Sequence, residues 1–367
     1  MWLFDPSLYE DVHELIIAAI TVFYFSVIQP KNAFGILQRN KSQIAVYLYA
    51  LLFIVVVGFR PVSYAFGDTI VYARGYNDFA TMAEIATFER DSLFYSFMWL
   101  CSQFMSVNWF FFIIEVLYIV PIIIACYRLL KNNADIGLVF CFAAFSFFTY
   151  GVNGIRNGVA CSLVFLAITY IRGSNLEKLF CAILSILAIS IHASAALPVV
   201  CMLVAYFIKK PDVLFYFWGL SIIVSLLAGN SVANLFASLG FDERLSDYIH
   251  PDIEEDIYTT TGFRWDFLLY SAAPILLGWY VVFKRRVCNS TYLLLLGTYI
   301  FANAFWVMVI RAEFSNRFAY LSWFLYPIVL AYPLLKLKIW PKTQGQKTAL
   351  IMMAHLAFTL FMVFIVG

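Results

Sequence analysis

Long apolar runs separated by short polar turns leave this chain few ways to fold. The runs show no strand-like alternation, and a helix needs about 20 mainly apolar residues to cross a bilayer core about 30 Å thick. Only 13% of the residues are charged and 63% are hydrophobic, whereas soluble domains carry about 25% charged residues. Because a bilayer offers the backbone no hydrogen-bond partners, the runs have to fold as helices. The sequence therefore predicts an all-α, polytopic membrane protein.

The runs predict about 12 transmembrane helices, with 11–13 as the range, in a single transmembrane domain over residues 1–367. The predicted spans are 12–28, 44–59, 109–127, 136–150, 158–171, 179–192, 193–208, 213–228, 265–283, 291–310, 318–335 and 348–366. The stretch 92–107 is apolar but short, so we expect a re-entrant or interfacial helix there. Large extracytoplasmic loops are expected at 60–91 and 229–264.

The distribution of lysine and arginine predicts the orientation. With residues 29–43 in the cytoplasm, the inner loops hold all 11 lysines and five arginines, while the outer loops hold eight arginines and no lysine. Cytoplasmic loops of membrane proteins carry the excess of positive charge. Both termini are therefore expected on the extracytoplasmic side.

The outer cations are all arginines, and the orientation rule does not explain that choice. The eight are Arg60, Arg74, Arg90, Arg156, Arg244, Arg264, Arg311 and Arg317. A guanidinium presents a planar fork of donors that binds phosphate or carboxylate through two parallel hydrogen bonds. This pattern predicts capture of an anion at the outer leaflet. The alternative is pairing with outer acids, which are Asp68, Asp78, Glu84, Glu89, Asp91 and a cluster from Asp242 to Asp256.

A first polar constellation follows the second predicted span. Arg60 stands where that span ends, and Gly67, Asp68, Thr69 and Tyr72 follow in the loop. An aromatic ring near these residues offers a flat apolar face to a sugar. The alternative interpretation is an interfacial aromatic belt with an arginine–aspartate pair.

A second constellation joins two short predicted spans. Asn153, Gly154, Arg156, Asn157 and Gly158 form this turn. Neither neighbouring span reaches 20 residues, so the turn is drawn toward the hydrocarbon, where an arginine is costly. We therefore expect Arg156 to line a hydrated site and to meet an anion. A capped helical hairpin is the alternative.

Further candidate residues lie at two predicted outer turns and inside one predicted span. His192 interrupts a long apolar run at a predicted outer turn, where it is either a proton carrier or phosphate ligand, or a hydrogen-bonded packing residue. Another outer turn holds Arg311, Glu313, Arg317 and Tyr320. Glu115 is an acidic residue inside a predicted span, and it is either functional or a protonated structural group.

Several kinds of chemistry have no motif in this sequence. The chain has no DxD, HExxH, GxSxG or Walker motif, and none of its seven cysteines forms a CxxC pair. No metal and no cofactor are therefore expected. The basic residues form no cluster, so no nucleic-acid partner is expected either.

These motifs, in this order, resemble the EpsG family, which is related to Wzy-type O-antigen and exopolysaccharide polymerases. The resemblance spans roughly residues 50–330. Its residues are Phe59-Arg60, Gly67-Asp68-Thr69, Tyr72, Asn153-Gly154-Ile155-Arg156-Asn157, Ala160, His192-Ala193-Ser194, Arg317 and Tyr320. One departure is Asn157, where glutamine is more usual in the family.

The resemblance implies a membrane-embedded glycosyltransferase at the outer face of the bacterial inner membrane. Its donor and acceptor would be undecaprenyl-diphosphate-linked oligosaccharides rather than nucleotide sugars. Membrane lipids, a flippase and a chain-length regulator are the other implied partners. A transporter or flippase of an anionic lipid-linked sugar is the main alternative, and a membrane acyltransferase is another.

The expected mechanism divides the candidate residues into three roles. Arg156 and Arg317, with Arg60 or Arg311, would clamp the diphosphate leaving group. The base that takes the proton of the acceptor hydroxyl would be His192, Asp68 or Glu313, with His192 favoured because an unperturbed imidazole has a pKa near 6.5. The remaining substrate contacts would come from Asn153, Asn157, Tyr72 and Tyr320.

Overall fold

The computed structural model describes residues 5–84, 90–208, 210–238, 263–311 and 316–366. Within these ranges the chain forms α-helices joined by turns and short 3-10 or π segments, and no strand is present. The helices are α1 (Tyr9–Ile28), α2 (Ala33–Leu37), α3 (Ala45–Gly58), α4 (Thr69–Ala80), α5 (Ser92–Ser102), α6 (Val107–Leu130), α7 (Ala134–Phe142), α8 (Phe147–Val152), α9 (Ile155–Ile168), α10 (Asn175–Ile191), α11 (Ala196–Phe207), α12 (Pro211–Ser238), α13 (Trp265–Trp279), α14 (Ser290–Met308), α15 (Asn316–Trp323), α16 (Tyr326–Lys336) and α17 (Gln344–Phe361). The all-α prediction is confirmed.

Seven helical segments of the described chain have the length and apolar composition to cross a membrane. They are Pro6–Ile28, Val107–Phe142, Pro211–Gly229, Trp265–Lys284, Ser290–Met308, Arg317–Lys336 and Gln344–Val366. Three shorter apolar helices, Ala45–Gly58, Ile155–Ile168 and Ala193–Phe207, add to them. The chain is thus a polytopic membrane protein, while a total of about twelve spans stays a prediction.

The segment Val107–Phe142 contains a sharp turn rather than one straight helix. Lys131 adopts a left-handed conformation with φ +53°, and there α6 ends. α7 then returns along α6, since the Sγ atoms of Cys126 and Cys141 lie 3.8 Å apart. The predicted span 136–150 is interrupted as well, because α7 ends at Phe142 and α8 begins at Phe147.

The region 60–91, predicted to be an outer loop, contains the helix α4. The short apolar stretch at 92–107 forms α5, whose 11 residues extend only about 16 Å at 1.5 Å per residue. This length falls short of the hydrocarbon thickness, and the re-entrant or interfacial position of the helix stays a prediction. In the other predicted loop, α12 continues to Ser238 with a kink at Ala228, and residues 239–262 lie outside the described part.

The helices form two compact units, and each is described by itself. The first comprises Met1–Ala195 and Ala331–Gly367, and the second comprises Ala196–Leu330. The single domain expected over the whole chain stays a prediction.

In the first unit, α6 packs against α3, α7 and α9, and α10 packs along α9. The amphipathic α4 and α5 pack against each other, and α5 also contacts α10. This arrangement brings the beginning of α5, the beginning of α9 and the end of α10 to one place. The candidate site lies there.

In the second unit, α14 is central, with α11, α12 and α15 packed around it. Two hydrogen bonds between helices satisfy polar side chains of this unit, and such pairing offsets the cost of removing polar groups from water. The Trp323 indole N–H donates to the Ser271 hydroxyl at 2.7 Å, and the Trp218 indole N–H donates to the Asn303 side-chain oxygen at 2.9 Å.

Candidate functional site

The site is organised around the carboxylate of Asp91, which immediately precedes α5. Its Oδ2 accepts hydrogen bonds from Arg156 Nη1 at 2.5 Å and from His192 Nδ1 at 3.1 Å. Its Oδ1 accepts the backbone N–H of Ala193 at 2.8 Å. The Asp91 side chain is only 8% exposed. One buried carboxylate therefore joins an arginine from the beginning of α9 to a histidine at the end of α10.

The guanidinium of Arg156 is held by three groups along part of its edge. Besides the Asp91 bond, Nη1 donates to the Tyr95 hydroxyl at 2.9 Å and Nε donates to the Tyr72 hydroxyl at 3.2 Å. Nη2 makes no hydrogen bond to any residue in the described part of the chain. The side chain is 12% exposed. Arg156 is thus fixed in position while its Nη2 edge keeps two N–H donors available.

The imidazole of His192 is oriented by the same carboxylate. An ionised carboxylate only accepts hydrogen bonds, so Nδ1 is the donor of this bond, and in the neutral ring the lone pair is on Nε2. Nε2 has no hydrogen-bond partner among the residues the structure describes. His192 also caps the end of α10 in an extended conformation, with φ −149° and ψ 112°. The His192 side chain is 19% exposed, and its Nε2 edge stays open toward the site.

The ionised state of Asp91 follows from its surroundings. Burial acts to raise the pKa of this carboxyl group, but the hydrogen bond from His192, the Ala193 N–H and the Arg156 guanidinium act in the opposite direction. Their combined effect lowers the Asp91 pKa from its ordinary value. Asp91 is consequently a carboxylate at neutral pH.

The Gly67-Asp68-Thr69 turn is bound to the end of α8 and to the residue that follows it. The Asp68 backbone N–H donates to Asn153 Oδ1 at 2.9 Å, and Thr69 Oγ1 donates to the Val152 carbonyl at 2.8 Å. Gly67 has φ +55°, and a Cβ there would lie 2.5 Å from Asn153 Oδ1. Glycine at position 67 is therefore required both by its conformation and by this close approach.

The carboxylate of Asp68 takes no part in these contacts. It is half-buried and makes no hydrogen bond to a described residue. Its charge acts on the buried Tyr72 phenol, which in turn holds Arg156. Asp68 therefore lies near the Asp91-centred site without being bonded into it.

Arg60 is fully buried and hydrogen-bonded entirely within the first unit. Nη1 donates to Glu115 Oε1 at 3.0 Å and to the Val57 carbonyl at 2.9 Å. Nη2 donates to the Val152 carbonyl and to Thr69 Oγ1, both at 3.3 Å, and Nε faces Thr69 Oγ1 at 3.4 Å. Both side chains of the Arg60–Glu115 pair have an exposed fraction of 0%. In this arrangement Arg60 supports the turn next to the site and has no N–H left for a diphosphate.

Asn157 follows Arg156 on the first turn of α9 and is half-buried. Its Nδ2 donates to the Tyr150 hydroxyl at 3.4 Å, and its Oδ1 accepts from Cys161 Sγ at 3.1 Å. Asn153 holds the neighbouring turn, so the two amides lie on either side of the Arg156 segment. Both amides are hydrogen-bonded to protein groups.

The remaining predicted site residues belong to the second unit. Arg311 is exposed, with its guanidinium 5.6 Å from the ring centroid of Phe263, and Arg317 is also exposed. Tyr320 is buried, with its ring 5.8 Å from that of Trp323. Glu313 lies outside the described residues. The clamp that would join these cations to Arg156 draws on both units and stays a prediction.

Asp91 and Tyr95 are site residues that the sequence analysis did not single out. Asp91 appeared there only as one of several outer acids able to pair with arginine, and that pairing is what Arg156 makes. A signal was present, since an aspartate directly before an apolar stretch is a typical helix start. Its link to a histidine 101 residues later was not readable from local spacing.

The helices and the buried arginine–aspartate–histidine group define a polytopic α-helical membrane protein with a polar site in its first unit. The EpsG family profile matches residues 43–367, and the chain belongs to that family. It is thus an EpsG family membrane protein linked to polysaccharide synthesis, and the resemblance seen in the motifs is confirmed. Neither a curated protein nor a solved structure matches the chain significantly.

Proposed function

We propose that this protein polymerises undecaprenyl-diphosphate-linked oligosaccharide repeat units at the outer face of the bacterial inner membrane. One observation carries the proposal. The Nη2 edge of Arg156 and the Nε2 atom of His192 are both left open, and both belong to side chains fixed by the Asp91 carboxylate. The hydrogen-bonded group around Asp91 therefore contains a donor for an anion, on Arg156, and an acceptor for a proton, on His192.

The open edge of Arg156 suits a diphosphate leaving group. The two N–H groups of Nη2 point in different directions, so each can donate to a different diphosphate oxygen, and a charged donor forms hydrogen bonds about twice as strong as a neutral one. The charge on the leaving group grows as the glycosidic C–O bond breaks. A guanidinium already held by Tyr72, Tyr95 and Asp91 binds that charge without reorganising, which favours the transition state over the ground state.

The open nitrogen of His192 suits the proton transfer. In the proposed step the acceptor hydroxyl oxygen attacks the anomeric carbon of the donor sugar, and the bond from that carbon to the diphosphate oxygen breaks. His192 Nε2 takes the hydroxyl proton, and undecaprenyl diphosphate leaves with the bonding electron pair. Asp68, whose carboxylate is free of hydrogen bonds to described residues, is the second candidate base.

Other predicted residues enter the proposal in supporting roles. Asn153 and Tyr72 hold the walls of the site, and Arg60 stabilises the turn behind them. In the second unit, Arg311 and Arg317 are proposed to contribute further positive charge toward the lipid-linked substrate. No metal ion or cofactor is part of this proposal, and a flippase and a chain-length regulator are its proposed partners.

The orientation belongs to the same proposal, with the site and both termini outside the cytoplasm. The native Cys288 is exposed and follows the basic residues of a predicted inner loop, so a membrane-impermeant maleimide should not label it in intact cells. A cysteine introduced by Ala83→Cys, at an exposed position of the predicted outer loop, should be labelled. If Cys288 were labelled and the introduced cysteine were not, the orientation would be the opposite of the one proposed.

The activity is tested with purified protein in lipid nanodiscs and a synthetic polyprenyl-diphosphate oligosaccharide. We expect a ladder of longer products that differ by one repeat unit, together with release of polyprenyl diphosphate. Arg156→Ala and His192→Ala should abolish the ladder. Arg128→Ala is the matched control, because Arg128 forms its ion pair with Glu177 away from this site. Protein that moves the lipid across a bilayer without forming glycosidic bonds would establish the transporter alternative instead.

A further inference from the structure

We propose that Asp91 is the positioning residue of this site, fixing which nitrogen of His192 carries the proton and which edge of Arg156 stays open. The proposal rests on the proposed function only for its catalytic consequence. The tautomer of His192 and the orientation of Arg156 are properties of the protein alone, so they can be measured in the absence of substrate.

The hydrogen bonds of Asp91 hold both Arg156 and His192 in position. Oδ2 accepts from Arg156 and from His192, and Oδ1 is anchored by the backbone N–H of Ala193. Because Ala193 directly follows His192, the carboxylate holds both the ring and the backbone next to it. Rotation of the imidazole by half a turn would break the Nδ1 bond, so the ring has one favoured orientation.

The backbone of Asp91 indicates that this arrangement takes precedence over local helix stabilisation. An aspartate at the N-cap of a helix usually accepts an N–H of the first helical turn. Asp91 precedes α5, yet its side chain caps no N–H of that helix. It adopts φ +51° and ψ +32°, a left-handed conformation that aspartate tolerates better than most residues. The side chain is directed instead to His192, Ala193 and Arg156.

Through the same contacts Asp91 affects the proposed reaction. When Nε2 of His192 takes a proton, the imidazolium that forms is hydrogen-bonded to the Asp91 carboxylate, which stabilises it. The carboxylate also uses Nη1 of Arg156, so Nη2 is the edge that remains for the substrate. Asp91 therefore acts on the substrate through these two residues and does not itself touch the reacting atoms.

The direct test is nitrogen NMR of the protein labelled with ¹⁵N in its histidine rings. The chain has four histidines, His13, His192, His250 and His355, so the His192 signals can be identified by their loss in His192→Gln. In the wild-type protein we expect the neutral ring of His192 to carry its proton on Nδ1. A wild-type ring with its proton on Nε2 would overturn the proposal without any need for an Asp91 variant.

Asp91→Asn removes the charge while keeping a residue that tolerates the left-handed conformation. Its amide NH₂ must face either the Ala193 N–H or the Arg156 and His192 donors, so at least one donor loses its acceptor. We expect the Nδ1-protonated signal of His192 to be replaced by a mixture of tautomers, and kcat to fall at least about 100-fold with a smaller change in KM. An unchanged His192 signal in a folded Asp91→Asn protein would refute the positioning role.

Glu177→Gln is the matched control, because Glu177 lies at the opposite end of α10 and pairs with Arg128. It should leave the His192 signals unchanged. The two proposals are separable in this design. If the wild-type protein makes no polymer but His192 shows the expected Asp91-dependent tautomer, the function is wrong and the positioning role stands. If polymer forms and the tautomer does not depend on Asp91, the proposed function stands and the positioning role is wrong.

Discussion

Arg156→Lys tests whether the shape of the guanidinium, and not only its charge, is required. In the structure Arg156 directs one N–H to each of three groups, the Tyr72 and Tyr95 hydroxyls and the Asp91 carboxylate. Its Nη2 edge then offers two more N–H donors. A lysine ammonium has three donors in all and no planar fork. Lysine at position 156 can satisfy the three protein groups or bind the diphosphate, but it cannot do both.

The expected loss follows from the two hydrogen bonds that Nη2 would make to the diphosphate. A hydrogen bond to a charged group contributes about 1.5–3 kcal/mol, so two contribute about 3–6 kcal/mol. Since each 1.36 kcal/mol in the barrier changes the rate tenfold, kcat/KM should fall by about 10²–10⁴. Most of the loss should appear in kcat, because the leaving group gains its charge in the transition state.

The assay is steady-state release of polyprenyl diphosphate by the purified variant in nanodiscs, with its thermal unfolding midpoint measured in parallel. Arg128→Lys is the matched control. Arg128 also pairs with a carboxylate, and its guanidinium lies 3.7 Å from the Tyr170 ring centroid, but it is not part of the Asp91-centred site. A fully active Arg156→Lys protein would refute the role assigned to the Nη2 edge.

Two further predictions concern the support of the site. Gly67→Ala should destabilise the protein by roughly 1–3 kcal/mol, because residue 67 has φ +55° and a Cβ would lie 2.5 Å from Asn153 Oδ1. Gly219→Ala, where a Cβ meets nothing within 4 Å, should not lower the thermal unfolding midpoint. Glu115→Ala leaves the guanidinium of Arg60 buried without its charged partner, which should cost about 3–5 kcal/mol in the free energy of unfolding. A Glu115→Ala midpoint equal to that of wild type would show that the pair contributes no stability.

The class of fold was predictable from the sequence because the bilayer leaves the backbone few choices. Apolar runs of sufficient length identified the helices, and the lack of hydrogen-bond partners in hydrocarbon excluded other structures. The interruption between Phe142 and Phe147 was not predictable. Every residue there is apolar or small, and the contact at the break, from the Tyr118 hydroxyl of α6 to the Phe147 carbonyl at 3.0 Å, joins residues distant in sequence.

The residues of the site were partly predictable for a different reason. An arginine or histidine near membrane depth is costly, so Arg156 and His192 stood out from their apolar surroundings. The pairings among polar residues were not predictable. Arg60 pairs with Glu115, 55 residues later, and Asp91 pairs with His192, 101 residues later. Helix packing, and not local spacing, brings these residues together.

The structure also separates arginines that looked alike in the sequence. Arg60 directly follows one predicted span, Arg156 precedes another, and both lie next to polar turns. Arg60 is buried with its donors used by protein groups, whereas Arg156 retains an open edge. Burial and partner geometry, which depend on the tertiary structure, decide which of the two is able to bind a substrate.

The most direct measurement is the affinity of the purified protein for polyprenyl diphosphate itself, the proposed leaving group, without any sugar. Wild type and Arg128→Ala should bind it with the same affinity, and Arg156→Ala should bind it at least about 100-fold more weakly, since two charge-assisted hydrogen bonds are lost. Equal binding by wild type and Arg156→Ala would contradict the assignment of the diphosphate to the open edge of Arg156.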